Sequence, residues 1–183
     1  ALLGLIQQIR PKNLQLWQLE KLAQYLPIFC HEEALSITRL ISDQSSRAFA
    51  LCQLMEYFPD LWHESLAITR SLEDMVERVK LLIEMAQHKP FFYDEALTFA
   101  RSIDNDSDRV NALMALLPYI PNLCIEIFEE ICSMDRKSGR ASKINALGTY
   151  LPETLLGQAL EIIKAEPDKH EREFELSEFV KYL

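Results

Sequence analysis

The chain of 183 residues is 49% hydrophobic and 26% charged, which excludes a disordered tail and leaves enough apolar material for a core of its own. A formal net charge of -9 argues against a general nucleic-acid binder, because phosphate binding needs a cationic surface, although a local basic stripe stays open. No apolar run approaches the roughly 20 residues that span a bilayer, and the opening ALLGLI lacks the basic flank and cleavage site of a signal peptide, so a cytoplasmic location is expected.

Eight prolines against four glycines fit helices punctuated by proline better than strands joined by glycine turns. Along the chain the punctuation is periodic. Arg47, Arg78, Arg109, Arg140 and Arg172 follow one another at 31, 31, 31 and 32 residues, and Pro27, Pro59, Pro90, Pro121 and Pro152 keep almost the same steps. Helix starts share the register: Glu33-Ala34-Leu35, Glu64-Ser65-Leu66, Glu95-Ala96-Leu97, Glu126-Ile127-Phe128 and Gln158-Ala159-Leu160. Three markers in one register predict a repeat of about 31 residues.

The first predicted unit, near 1–29, is degenerate, with Gln15 in the arginine slot and Pro11 near the helix corner. Units near 30–60, 61–91, 92–122, 123–153 and 154–183 follow without a linker or second domain. Each opens on a first helix with apolar or small residues on one stripe, as in Ala34, Leu35, Ile37, Thr38 and Ile41, or Ala96, Leu97, Phe99, Ala100 and Ile103. The second helix carries a narrower apolar spacing: Ala48, Leu51, Met55 and Phe58, then Val79, Leu82 and Ala86, then Val110, Leu113, Leu117 and Ile120.

Asp43, Asp74, Asn105 and Asp168 stand where second helices begin and can accept from the unpaired first-turn amides. Glu77 and Glu171 would supply the reciprocal half of a capping box. The following proline is expected to end the second helix. Phe29-Cys30, Leu61-Trp62, Phe92-Tyr93 and Leu123-Cys124 then staple the turn to the next hairpin. A lone hairpin cannot hide its stripe, so the expected fold is all-α, an α-solenoid of about six antiparallel helix pairs stacked about 8–10 Å apart.

The pattern Glu-Ala-Leu-x-x-x-Arg-x-Ile/Leu-x-Asp-x-x-x-Arg-x-x-x-Leu closing on Pro, clearest over Glu33–Pro59 and Glu64–Pro90, resembles tetratricopeptide-like helical repeats of bacterial, especially cyanobacterial, multidomain proteins. The resemblance covers about residues 30–183 and implies a sensor or scaffold segment of a larger protein, of the kind joined to nucleotide-binding signalling ATPases or β-propellers. The start at Ala1, straight into a periodic segment, fits such an excerpt. The 34-residue tetratricopeptide signature, with its Trp and Gly-Tyr pattern, is not met, so peptide-carboxylate binding is not carried over.

Candidate chemistry is sparse. The five-fold arginine reads as a ligand ladder or as a structural group pairing at the turn, four residues after Asp43 or Asp74; a slot filled in every unit favours the second. Cys30 and Cys124 share a slot with Trp62 and Tyr93, and no Cys-x-x-Cys occurs, so free, structural thiols in a reducing compartment are expected. His31, His63, His88 and His170 form no His-Glu-x-x-His, and with only Gly4, Gly139, Gly148 and Gly157 there is little material for a phosphate loop. Neither an enzymatic constellation nor a metal or cofactor is expected.

One face is unusual. Opposite the apolar stripe, the first helices bear Ser36, Ala67 and Thr98, flanked by Ser71, Ser102 and Ser133, where a solvated face would carry more Lys and Glu. Arg39, Arg70 and Arg101 run beside them at 31-residue steps. Two uses are open: a partner-binding surface made of Ser36, Arg39, Ala67, Arg70, Ser71, Thr98, Arg101 and Ser102, or arginines that pair with Glu33, Glu64, Glu95 or nearby acids. The expected function is a protein-interaction module whose partner is a protein or peptide of acidic character. The rival is a nucleic-acid or nucleotide-binding array, against which the acidic composition and the lack of interleaved aromatics weigh.

Overall fold

The computed structural model describes residues 31–135 and 139–183. Among them ten α-helices alternate with short turns, and no strand occurs. They are α1 (His31–Arg39), α2 (Gln44–Leu54), α3 (Trp62–Ser71), α4 (Met75–His88), α5 (Phe92–Arg101), α6 (Asp106–Leu116), α7 (Cys124–Ser133), α8 (Arg140–Leu147), α9 (Glu153–Lys164) and α10 (Lys169–Phe179). Odd-numbered helices fall where the repeat puts first helices, and even-numbered ones where it puts second helices. The unit near 1–29, with Pro11, Gln15, Pro27 and the pair Phe29-Cys30, lies outside the described residues.

The chain up to Ala96 and the chain from Leu97 form two compact units. In the first, α2 packs against α1, α3 and α4, and α3 against α4. In the second, α7 packs against α6 and α8, α8 against α9 and α10, and α9 against α10.

Local chemistry explains where the second helices start. Asp43, Asp74, Asn105 and Asp168 take extended backbone angles, and their side chains accept from the amides of Ser46, Glu77, Asp108 and Glu171 at 2.8, 3.0, 3.0 and 2.9 Å. Each such cap contributes about 1 kcal/mol. The reciprocal half of the capping box does not form at Glu77, whose Oε1 accepts instead from the Ser45 hydroxyl of α2 at 2.8 Å. In the fifth repeat Arg136 stands in the cap slot and offers no acceptor. There α8 begins at Arg140 behind Gly139, in the left-handed region at φ 69°, and runs only 8 residues against 11 in α2 and α6.

The prolines do something other than end the second helices. α2 stops at Leu54 and α6 at Leu116, while Pro59 and Pro121 open the 3-10 turns Pro59–Leu61 and Pro121–Leu123 that lead into the next first helix. The ring of each proline excludes the helical region for the residue before it, and Phe58 and Ile120 sit at φ -129°, ψ 80° and φ -130°, ψ 73°. Those two residues therefore leave the helical stripe assigned to them and are only half-buried. Pro152 is the N-cap of α9, and Pro90 alone follows close on its helix, two residues after His88.

The core is wider on the second helices than their spacing suggested. Apart from Phe58 and Ile120 the expected stripe is buried: Ala48, Leu51 and Met55, Val79, Leu82 and Ala86, Val110, Leu113 and Leu117. Ala50, Cys52 and Leu54 on α2, Leu81, Ile83 and Met85 on α4, and Ala112 and Leu116 on α6 are buried as well. A helix covered on several sides needs apolar residues nearly all round, and α2 is covered by three neighbours. The first helices bury one stripe: Leu35 and Thr38, Ser65, Leu66 and Thr69, Ala96 and Ala100, Ile127, Phe128 and Ile131. Ser65 is tolerated at the α2–α3 contact because its hydroxyl donates to the Ala48 carbonyl at 3.1 Å and lies 3.1 Å from the Cys52 sulfur.

Candidate interaction surface on the first helices

The residues opposite the apolar stripe are on the surface. Ser36, Ala67, Ser71, Thr98, Ser102 and Ser133 are all exposed. Their hydroxyls are largely satisfied within their own helix: Ser36 donates to the Glu32 carbonyl at 2.9 Å, Ser71 to Ile68 at 2.7 Å, Ser102 to Phe99 at 2.8 Å and Ser133 to Glu130 at 2.7 Å. What they present to solvent is a low surface with little bulk and little unmet polarity.

Beside them the arginines form rungs. Arg39 meets Glu64, Arg70 meets Glu95 and Arg101 meets Glu126, each across 25 residues and each at 2.7 Å. Each rung joins one first helix to the next: α1 to α3 and α3 to α5 in the first unit, and Arg101 to Glu126 of α7 in the second. Arg39 and Arg101 each use Nε and Nη2 against a single carboxylate, the two-point geometry that fixes both planes. Hydrogen bonding to Glu64 and to Glu126 raises the pKa values of Arg39 and Arg101, and the same contact with Arg101 lowers that of Glu126. The pairing with acids that the sequence left open is therefore realised, with Glu64, Glu95 and Glu126 as the acids.

The rungs still leave donors over. The arginine side chains are 52, 55 and 52% exposed against 35, 23 and 34% for their glutamates. Among the described residues none of the three Nη1 atoms has an acceptor. Pairing thus holds each guanidinium in place and cancels much of its charge, while part of its donor edge faces solvent.

The five-fold arginine sits elsewhere, and at three of its five positions it does structural work. Arg78, Arg109 and Arg172 each reach back across the interhelical turn to the carbonyl six residues upstream, at Leu72, Ile103 (2.9 Å) and Glu166 (2.6 Å). These carbonyls belong to the last turn of a first helix, or just follow it, and have no helical partner of their own. Arg109 adds Asp106 and Glu130 of α7, both at 2.7 Å, and its side chain is only 18% exposed. Hydrogen bonding to Glu130, and then to Asp106, raises its pKa. The carbonyl is the partner that Arg78, Arg109 and Arg172 share, while Arg47 and Arg140 bury an Nε without an acceptor among the described residues.

The remaining polar candidates fall into place locally. Burial pushes the Cys52 thiol up to about 12, consistent with an inert core position, while Cys132 is exposed. His63 lies in the first turn of α3 with Nδ1 3.2 Å from the Asp60 carbonyl. Cys30 lies outside the described residues. Among those described, no group of three His, Cys, Asp or Glu side chains is placed to hold a metal, and no helix is long and apolar enough to cross a membrane.

Two depressions mark the surface of the first unit. A wide one of about 1170 Å³ lies at the N-termini of α2 and α4, and three of its four carboxylates are engaged, Asp43 and Asp74 as caps and Glu77 with Ser45, the fourth being the exposed Glu73. A second, of about 440 Å³, lies against the Arg39–Glu64 rung, with Tyr57, Phe58, Pro59 and Leu61 as its apolar walls. The sequence carried a signal for this recess that arginine and proline counting passed over: Tyr57, Tyr119, Tyr150 and Tyr182 keep the repeat register, two residues before Pro59, Pro121 and Pro152 in the first three cases.

No protein-family model matches the sequence, and no curated protein and no solved structure matches it either.

Proposed function

We propose that the chain is a protein-interaction module, a tetratricopeptide-like helical-repeat array of the α-solenoid kind serving as a scaffold or sensor segment. Its binding surface is the first-helix face, at Ser36, Arg39, Ala67, Arg70 and Ser71 in the first unit and at Thr98, Arg101 and Ser102 in the second. The observation that carries this reading is the set of three arginines in one register, each held by a glutamate and each keeping an uncommitted Nη1 beside a small side chain. A guanidinium fixed before binding loses little freedom on binding, and small neighbours let a partner backbone approach its edge.

The same rungs shape the partner. A phosphate backbone would have to compete with Glu64, Glu95 and Glu126 on a chain of net charge -9, which disfavours the nucleic-acid reading. A protein segment offering carbonyls or single carboxylates to the outer donor edges meets no such obstacle.

The test is a displayed library of random 12-residue peptides panned on the folded chain, with recovered peptides titrated by calorimetry against wild type, Arg70→Ala and the charge swap Arg70→Glu/Glu95→Arg. Affinity should fall at least tenfold on Arg70→Ala and stay low on the swap, which keeps the ion pair but reverses its polarity, while the thermal melts stay close together. Peptides that bind all three forms equally would place the binding surface elsewhere.

A further inference from the structure

Beside the Arg39–Glu64 rung the surface is indented, and the walls are apolar where the rung is charged. The depression of about 440 Å³ is open to solvent and divided in its lining, with Tyr57, Phe58, Pro59 and Leu61 on the apolar side and Arg39, Asp60, His63 and Glu64 on the polar side. We infer that this recess takes one bulky apolar side chain of the partner, with a hydrogen-bond acceptor of the same segment meeting the Arg39 Nη1. This rests on the interaction reading above and deepens it by naming what the partner inserts.

The walls are held before any ligand arrives. Tyr57 and Phe58 both donate their amides to the Leu54 carbonyl, at 3.0 and 2.9 Å, and the Leu61 amide donates to Phe58 at 3.0 Å, so the rim backbone is tied down on both sides of Pro59. The His63 ring, at the mouth, lies 3.5 Å from the Trp62 ring, and Trp62 meets Phe92 and the exposed Phe91 edge-on at 5.9 and 6.1 Å. A recess braced in this way does not have to be ordered on binding, which is the usual cost of docking on a surface loop. Both an aromatic side chain, through ring-edge contacts, and a branched aliphatic one can fill it.

A second observation comes from the register. Sixty-two residues on, the second unit repeats the set: Arg101 and Glu126 form the rung, Tyr119 and Ile120 precede Pro121, and Leu123 closes the turn. The two 3-10 turns share their entry angles within 7°. If these residues served stacking alone they would be covered, yet Tyr119 is 44% and its neighbour Ile125 52% exposed. The intervening repeat has His88 and Lys89 where the two recess-type turns have Tyr and an apolar residue. A Tyr and an apolar residue thus precede the periodic proline in every repeat but the one that closes on Pro90.

The experiment is a ¹H–¹⁵N titration of the whole chain with three probes: N-acetyl-phenylalaninate, N-acetyl-phenylalaninamide and N-acetyl-glycinate. Both phenylalanine probes should shift the amides of Tyr57, Phe58 and Asp60 to His63, with the carboxylate form tighter by about threefold, while N-acetyl-glycinate leaves them in place. Tyr57→Ala should weaken both phenylalanine probes at least fivefold. Arg39→Gln, a surface change that leaves the apolar walls intact, should remove the preference for the carboxylate and keep the affinity for the amide. Shifts scattered over the surface, equal response to N-acetyl-glycinate, or unchanged affinity in Tyr57→Ala with a native melt would overturn the inference. A chain that captures Arg70-dependent peptides but shows no response at Tyr57 to His63 loses this anchor alone. Peptides indifferent to Arg70 would remove the interaction reading on which it stands.

Discussion

Two arginines of the second unit pair with glutamate at the same distance, yet their removal should differ several-fold in cost. Arg101 and Arg109 both place Nη2 2.7 Å from a carboxylate oxygen of α7, of Glu126 and Glu130 respectively. Arg101 is 52% exposed, so water replaces the lost contact on both sides, and Arg101→Ala should cost no more than about 1 kcal/mol. Arg109 is 18% exposed and serves four acceptors, the Ile103 carbonyl, more distantly the Asp104 carbonyl, Asp106 and Glu130. Asp106, 55% exposed, recovers its hydration, but Glu130 at 29% does so only in part, and the Ile103 carbonyl belongs to a residue 7% exposed. One charge-assisted bond lost there, at about 1.5–3 kcal/mol, and a fraction of a second give an expected cost of about 2–3 kcal/mol for Arg109→Ala. For a chain of this size that is a fall in melting temperature of about 4–12 °C, against less than about 4 °C for Arg101→Ala. Urea unfolding followed by circular dichroism at 222 nm, on the two variants side by side, reads the difference directly. Equal losses, or a loss below about 1 kcal/mol at Arg109, would mean that burial does not separate the two classes of arginine and that the turn-spanning contact is dispensable.

Other consequences follow from the packing and the caps. Leu113 is fully buried on α6, and Leu113→Ala should cost about 2.7–5 kcal/mol by chemical denaturation, the upper end if the cavity does not collapse; stability within error of wild type would mean the α6 stripe is misassigned. A Cβ on Gly148 would overlap the Tyr182 ring, so Gly148→Ala should lower the melting temperature through displacement of that ring, and Gly148→Ala in a Tyr182→Ala background should add almost nothing; additive losses would refute the contact. Hydrogen bonds from Ser46 lower the pKa of Asp43, and the contact with Arg101 lowers that of Glu126. Carboxylates with depressed folded values contribute stability that is full above their unfolded values near 4 and is lost as pH falls through the folded ones, so urea midpoints should be flat from about pH 7 to 5 and drop below about pH 4. Asp43→Ala should flatten part of that drop, and an unchanged profile would exclude the cap as a source.

How much of this could be read without coordinates depends on the range of the interaction. The helical class, the caps at Asp43, Asp74, Asn105 and Asp168 and the buried stripe through Leu51, Leu82 and Leu113 all follow from residue types three or four positions apart, and the structure places them as expected. The extended backbone of Phe58 and Ile120 was written in Phe58-Pro59 and Ile120-Pro121, where the constraint of proline on its predecessor is local, but the apolar spacing suggested a helix running on through both residues. The extra burial of Ala50, Leu81 and Ala112 was not legible, because it depends on how many neighbours a helix has.

The sequence by itself determined the periodicity, the helix starts and which face of α1, α3 and α5 would carry small residues and arginine, since helical geometry converts spacing into a face without knowledge of the partner element. Only the tertiary structure decided what that face is. Arg39, Arg70 and Arg101 find glutamates 25 residues away on the next first helix, a distance at which residue order does not fix which side chains meet, and the recess at Tyr57 exists because a 3-10 turn folds back beside one of those rungs. Contacts of that range depend on how the helices of each unit pack, and burial of the apolar stripes, which dominates the energetics, leaves the surface groups to pair with whatever that packing brings within reach.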